Sequence, residues 1–183
     1  MAAQSSLLLK IGSKAIDFNL LEPLTAQFRS LQDIVKPKGL VLVFLCNHCP
    51  YVKHINSCLS KIATEYLDKN IGFVAINSND VSQYPDDSPS EMAKVAKSYP
   101  FPYLYDESQD IARQYRAECT PDFFVFSGQL DLVYTGRFDA SRPNTDTEVT
   151  GCDLRSALDY ILDQNSPLPP QYPSIGCSIK WKR

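Results

Sequence analysis

The sequence predicts an α/β protein, and three observations carry that prediction. Leu40-Val41-Leu42-Val43-Phe44-Leu45 is an uninterrupted apolar run bounded by Lys-Gly before it and Cys-Asn after it, the pattern of a strand covered on both faces. From Pro50 onward, Val52, Ile55, Leu59, Ile62, Ala63, Tyr66 and Leu67 recur at helical spacing, with Pro50 suited to the first turn. Ile71 to Asn77 is a second buried strand. Strands alternating with helices imply a mixed, parallel-containing central sheet flanked by helices on both faces.

The remaining elements follow in chain order. Phe18, Leu20 and then Phe28 recur around Glu22-Pro23, which reads as an N-terminal β-hairpin. Ser30-Leu31-Gln32-Asp33 opens a short helix by the N-cap rule, and Pro37-Lys38-Gly39 ends it. Ser78 to Pro89 is a polar loop rich in Asn, Asp, Ser and Pro. Glu91 to Tyr99 is a helix stopped by Pro100, Phe101 to Tyr105 a short extended piece, and Ser108 to Tyr115 a further helix. Strands at Phe123 to Phe126 and Leu130 to Gly136 flank a Ser127-Gly128 turn, and a helix runs from about Asp153 to Leu162. Pro167, Pro169, Pro170 and Pro173 then predict an extended C-terminal tail over 164–183, wrapped on the surface.

A chain of 183 residues, 44% hydrophobic and 21% charged, can bury one sizeable core, so 1–183 is expected to form a single domain. A net charge of -3 supplies no basic field to attract a phosphate backbone, which argues against nucleic acid as a partner. The basic Lys180-Trp181-Lys182-Arg183 end reads as a solvated tail. No apolar stretch has the length of a membrane span, and the residues before Ile11 lack the charged and apolar regions of a signal peptide. These features predict a cytoplasmic protein without a membrane partner. Oligomeric state has no signature in the sequence.

The six cysteines are 46, 49, 58, 119, 152 and 177. A chain this well supplied with apolar strands has little need of disulfide staples, so most of them read as reduced. Cys46-Asn47-His48-Cys49 stands apart, because it sits where a buried strand passes into a helix. Backbone N–H groups and the macrodipole at a helix N-terminus lower a thiol pKa from about 8.5 toward about 3.5 to 7.5, and attack on a disulfide requires the thiolate. On this reading Cys46 is the nucleophile. Cys49, one turn inward, resolves the mixed disulfide. His48 is a group that can be cationic near neutrality and can hydrogen-bond the Cys46 thiolate.

Two other uses of such a pair fit the sequence less well. A structural zinc site commonly takes two such pairs, and no second CxxC or HxxxH occurs; no metal and no other cofactor is expected. Burial of both sulfurs as inert packing sits badly with a strand that ends in Asn-His. Farther along, Cys119-Thr120-Pro121-Asp122 precedes a strand, where Pro is tolerated and an X-Pro bond can be trans or cis.

Taken together these residues resemble the thioredoxin superfamily, in its alkyl hydroperoxide reductase/thiol-specific antioxidant, or peroxiredoxin-like, branch. The likeness starts in Ile11-Gly12-Ser13-Lys14-Ala15-Ile16-Asp17-Phe18-Asn19-Leu20 and covers roughly residues 9 to 163. Phe44 to Val52, Asn77-Ser78-Asn79-Asp80, Cys119 to Phe124 and Gly176 to Lys182 are similar to those of a bacterial group of thioredoxin-family proteins. The resemblance implies a thioredoxin-like fold, a thiol-disulfide oxidoreductase acting on protein or small-molecule thiols and disulfides, and Thr120-Pro121 as a cis-proline loop facing Cys46 and Cys49. The Cys-Asn-His-Cys motif is similar in its His to those of disulfide isomerases and oxidases.

Two positions depart from the family pattern. Reductive members carry a buried Asp near the start of the central strand, and Leu40 to Leu45 holds no acid. Peroxidases of the branch place Thr three residues before the reactive Cys, where Cys46 has Val43. The alternatives are a thiol peroxidase using Cys46 and Cys49 and a non-enzymatic binding module or Cu(I) carrier. If Thr120-Pro121 faces the CxxC pair, Cys119 lies near it and Cys177 on the tail can reach the same area, so the two are either an auxiliary redox disulfide or two reduced, partly buried thiols. Cys58 and Cys152 read as structural, and Arg137 as surface or salt-bridged.

Overall fold

The computed structural model describes residues 3–163 and 166–182. Its strands are β1 (Ala3–Ser5), β2 (Asn19–Glu22), β3 (Gln27–Ser30), β4 (Gly39–Phe44), β5 (Ile71–Asn77), β6 (Tyr103–Tyr105), β7 (Cys119–Thr120), β8 (Asp122–Ser127), β9 (Leu132–Gly136) and β10 (Ile175–Ser178). The helices are α1 (Leu31–Ile34), α2 (Pro50–Leu67), α3 (Pro89–Ala96), α4 (Asp110–Gln114) and α5 (Cys152–Leu162).

The expected hairpin is β2–β3, antiparallel with Leu21 opposite Phe28. It leads into α1, where Ser30 and Asp33 satisfy each other's backbone N–H groups as a capping box. β5 and β6 run parallel, and β4 pairs antiparallel with β8, which pairs antiparallel with β9. The order β3-β2-β6-β5 adjoins β4-β8-β9 where Leu45 N–H donates to Ile76 O at 2.9 Å. This is the mixed sheet that the alternating elements predict.

Strand alternation divides the core. On β4, Val41 and Val43 face a cluster with α2, α3 and α5, while Leu40, Leu42 and Phe44 face one with α1 and α4. The all-buried β4 therefore has two apolar environments, which explains why its sequence does not alternate. Helix α2 buries Val52, Ile55, Leu59, Ile62, Ala63 and Tyr66 on one face; each large side chain among them contributes roughly 1.5–3 kcal/mol on leaving water. This packing fixes the helix N-terminus against the end of β4. Among the described residues no helix is long and apolar enough to cross a membrane.

The C-terminal segment differs from the expected surface wrap. β10 is the middle strand of a small sheet, β1-β10-β7, with Cys177 opposite both Ala3 and Thr120. Beyond it, Asn79, Asp80 and Gln109 hold the backbone of Lys180, and Trp181 lies under the Arg113 guanidinium. The segment is packed into the molecule because its backbone N–H and C=O groups find partners in the loop after β5 and at Gln109 before α4. Arg183 of the basic end lies outside the described residues.

Candidate active site

Four pieces of chain converge at the end of β4. The first is the turn Cys46-Asn47-His48-Cys49, which leads directly into α2 with Cys49 as N-cap and Pro50 as its first residue. Pro fits there because its missing N–H would have no partner in the first turn. The second is the junction of β7 and β8, where the Thr120–Pro121 peptide is cis. The third is β10, which brings in Cys177. The last is the loop after β5, which brings in Asn79, Tyr84 and Asp87.

Cys46 Sγ lies 3.3 Å from Thr120 Oγ1. Cys49 Sγ lies 3.2 Å from Thr120 O and 2.7 Å from Cys177 Sγ. As a thiol, Cys49 donates to the Thr120 carbonyl; as a thiolate, it accepts from its sulfur neighbours. Cys46 is 2% exposed and Cys49 is fully buried, so the pair sits just under the surface. All six cysteines are free.

The charge distribution differs from the sequence expectation of a Cys46 thiolate. Cys49 is drawn far below the ordinary thiol range by the Cys177 thiol first, then by the Cys46 thiol, with the Val52 N–H of the first helical turn adding to them and burial opposing. Cys46 is pushed up first by the neighbouring Cys49 sulfur, then by burial and by the Asp87 carboxylate. Cys177 is likewise pushed up by its bond to Cys49 and by burial. The difference lies in their neighbours: Cys49 has a thiol on either side that favours its anion, whereas Cys46 lies beside an acid that opposes its own.

His48 has a different partner from the expected one. Its Nδ1 is 2.7 Å from Asp87 Oδ2, close enough for an ion pair though off-line for a hydrogen bond, and its ring stacks on Tyr84 with centroids 5.5 Å apart. It makes no hydrogen bond to Cys46. Asp87 is fully buried and accepts from Asn47 N–H and Asn79 Nδ2, each at 2.7 Å. Sequence reasoning missed Asp87, because nothing local distinguishes it from Asp86 beside it. One ligand atom from each of Cys46, His48 and Asp87 lies within 4.8 Å of the others.

The proposed Cys119–Cys177 pair is not formed. Cys177 is in register with Thr120, and Cys119 with Ser178. Neighbouring strand residues point to opposite faces, so Cys177 shares the face of Thr120 and the CxxC sulfurs while Cys119 points away. Burial and the nearby Asp122 push the Cys119 thiol up. Asp122 is a buried acid that β4 itself lacks; it lies on β8 opposite Phe44, with neither carboxylate oxygen hydrogen-bonded, and burial pushes it up to about 8. Cys58 is half-buried on α2 and Cys152 is exposed at the start of α5. Arg137 pairs with Asp153 at 2.7 Å and stacks on Tyr172. A cleft beside Pro121 is lined by Tyr51, His54, Arg137, Ser141 and Arg142.

Comparison with known proteins places this architecture. The AhpC/TSA family matches residues 11–135. The crystal structure of an uncharacterized conserved protein from Geobacillus kaustophilus is 49% identical, with TM-score 0.96, covering 100% of this chain and 97% of that one. A hypothetical protein from Sinorhizobium meliloti is 39% identical, with TM-score 0.93 and coverage of 97% and 98%. A protein described as a candidate thiol:disulfide interchange protein DsbE from Chlorobium tepidum is 19% identical, with TM-score 0.66 and coverage of 85% and 99%, a likeness of fold. The fold is thioredoxin-like. No curated protein matches the chain.

Proposed function

The chain belongs to the AhpC/TSA family, and from that premise we propose that it is a thiol-disulfide oxidoreductase working through Cys46 and Cys49. The observation that carries this reading is the pair of sulfurs held between a helix N-terminus and Thr120, with Cys46 Sγ 3.3 Å from Thr120 Oγ1 and Cys49 Sγ 3.2 Å from Thr120 O. Cys46 is the member with residual solvent access. As its sulfur attacks a substrate disulfide, its proton passes to the Cys49 thiolate; the first substrate sulfur leaves as a thiolate and takes that proton up in turn. Cys49 then attacks Cys46 Sγ, forming the Cys46–Cys49 disulfide and releasing the second substrate sulfur.

Thr120 supports the reaction from both of its polar groups. Its hydroxyl lies against Cys46, and its carbonyl receives the Cys49 proton when that sulfur is a thiol. The cleft beside Pro121 offers a concavity for the rest of a thiol substrate. His48 acts on Asp87, whose negative charge holds the Cys46 proton in place until attack. Substrates are thiols and disulfides of proteins or small molecules.

Insulin reduction driven by dithiothreitol tests this reading. The parent protein is expected to accelerate insulin precipitation, and Cys46→Ser to return the rate to that of dithiothreitol alone. A Cys46→Ser protein as fast as the parent would overturn the role of Cys46. The cluster of Cys46, His48 and Asp87 also favours a second reading, a soft-metal site. Metal analysis of protein purified under reducing conditions separates the two, since stoichiometric copper or zinc belongs only to the second.

A further inference from the structure

Cys177 is buried against the redox pair, and the exchange described above gives it no role. Its position is built by the fold. Ser174 O accepts from Ser6 N–H at 3.0 Å on one side of it, and Ile179 N–H donates to Glu118 O at 3.0 Å on the other. Gly176, immediately before it, lies so close to the Thr120 carbonyl that any side chain there would collide. Register with Thr120 turns the sulfur toward α2. The result is 2.7 Å between Cys177 Sγ and Cys49 Sγ, two residues separated by 128 positions in the chain.

Cys49 therefore has a sulfur neighbour on each side, Cys46 within the same CxxC turn and Cys177 at 2.7 Å, and both neighbouring thiols draw its pKa down. We propose that Cys177 is a third redox cysteine, which takes Cys49 from Cys46 by internal disulfide exchange. This inference rests on the reading of Cys46 and Cys49 as a redox pair.

The step balances within the protein. Starting from the Cys46–Cys49 disulfide, Cys177 loses its proton and its thiolate attacks Cys49 Sγ. The Cys49–Cys177 bond forms as the Cys46–Cys49 bond breaks, and the electron pair of the broken bond leaves on Cys46, which takes up a proton. One disulfide and one thiol are present before and after, so no outside oxidant is used. Oxidation of Cys49 itself prepares the step, because the Cys49 anion that held the Cys177 proton is then gone.

Two consequences follow. Cys46, the more exposed residue of the CxxC pair, regains its thiol while the protein stays oxidised, so it can open a second substrate disulfide before any reductant arrives. The C-terminal strand becomes covalently tied to the N-cap of α2, which couples the order of β10 to the redox state of the site.

The test is a disulfide map. Reduced Cys46→Ser protein is treated with diamide, which removes two electrons and two protons from a thiol pair; it is then quenched in acid, alkylated, digested and read by mass spectrometry. The variant has five thiols, the six of the sequence less one, and is expected to lose two of them to an intramolecular Cys49–Cys177 peptide. The parent protein, given one equivalent of diamide, is expected to yield both Cys46–Cys49 and Cys49–Cys177 peptides, in a ratio that does not change with time. This second readout does not depend on the variant folding.

If neither protein gives a Cys49–Cys177 peptide while the parent gives Cys46–Cys49, the third-cysteine role is overturned and the redox pair stands. If the parent gives neither a Cys46–Cys49 nor a Cys49–Cys177 peptide, the redox pair itself fails. A Cys119–Cys177 peptide in place of Cys49–Cys177 would also overturn the proposal.

Discussion

Gly176 and Thr120 face each other so closely across β10 and β7 that a methyl group on Gly176 would collide with the Thr120 carbonyl oxygen. That carbonyl is also the one 3.2 Å from Cys49 Sγ. The absence of a single side chain thus lets the C-terminal strand, the Thr120–Pro121 junction and the CxxC motif share one small volume.

Replacing Gly176 with Ala is expected to push β10 off the junction and to destabilise the protein by about 1–3 kcal/mol, the usual cost of forcing atoms into a packed site. Denaturant unfolding gives the stability. Reaction with an aromatic disulfide reagent gives the exposure: Cys49 and Cys177 should react faster than in the parent. Unchanged reactivity would show that β10 does not shield them.

Asp87 controls Cys46 through charge. Its carboxylate is one of the causes that push the Cys46 thiol up, so Asp87→Asn is expected to lower the Cys46 pKa and to quicken its alkylation near neutral pH. The same change disturbs the bonds from Asn47 N–H and Asn79 Nδ2, at a cost on the order of 1 kcal/mol. Thiolate absorbance followed against pH checks the first effect, and thermal unfolding checks the second.

Asp122 makes stability depend on pH. Its pKa rises from 3.8 to about 8 on folding, chiefly by burial. Between those values the unfolded chain has lost the proton that the native protein keeps, so stability should fall as pH rises, by at most about 1.4 kcal/mol per pH unit from this group. Below 3.8 both states hold the proton and above about 8 neither does, so the slope from this group vanishes. Asp122→Asn is expected to flatten the profile and to raise stability most at pH 8. Urea unfolding across pH 4 to 8 is the measurement; parallel profiles for parent and variant would remove Asp122 as the cause.

The elements most legible in the sequence were those with a strong period or a strong boundary. α2 begins at Pro50 and ends at Leu67, as its apolar spacing and Pro50 predict, and β5 spans Ile71–Asn77. β1 and β10 were not legible. Ala-Gln-Ser and Ile-Gly-Cys-Ser are too short to show alternation; β1 is a strand because β10 supplies its hydrogen bonds, and β10 because β1 and β7 supply its own.

The candidate site divides along the same line. The CxxC pair and Thr120-Pro121 are local motifs at recognisable junctions, and they meet in space. Pairing Cys177 with Cys119 followed from proximity alone. The register of β10 decides instead for Cys49, and one residue of register turns a side chain to the other face of a strand. Asp87 and Asn79 reach the site through a loop whose course no local pattern encodes.

The most direct test of the central claim, that Cys46 opens substrate disulfides and Cys49 closes the cycle, is a trapping experiment with Cys49→Ser protein and oxidised glutathione, mapped by mass spectrometry after acid quenching. The account predicts a persistent glutathione adduct on Cys46, which the parent protein resolves to the Cys46–Cys49 disulfide. A Cys49→Ser protein that carries no adduct on Cys46, or carries it on Cys58 or Cys152 alone, would contradict it.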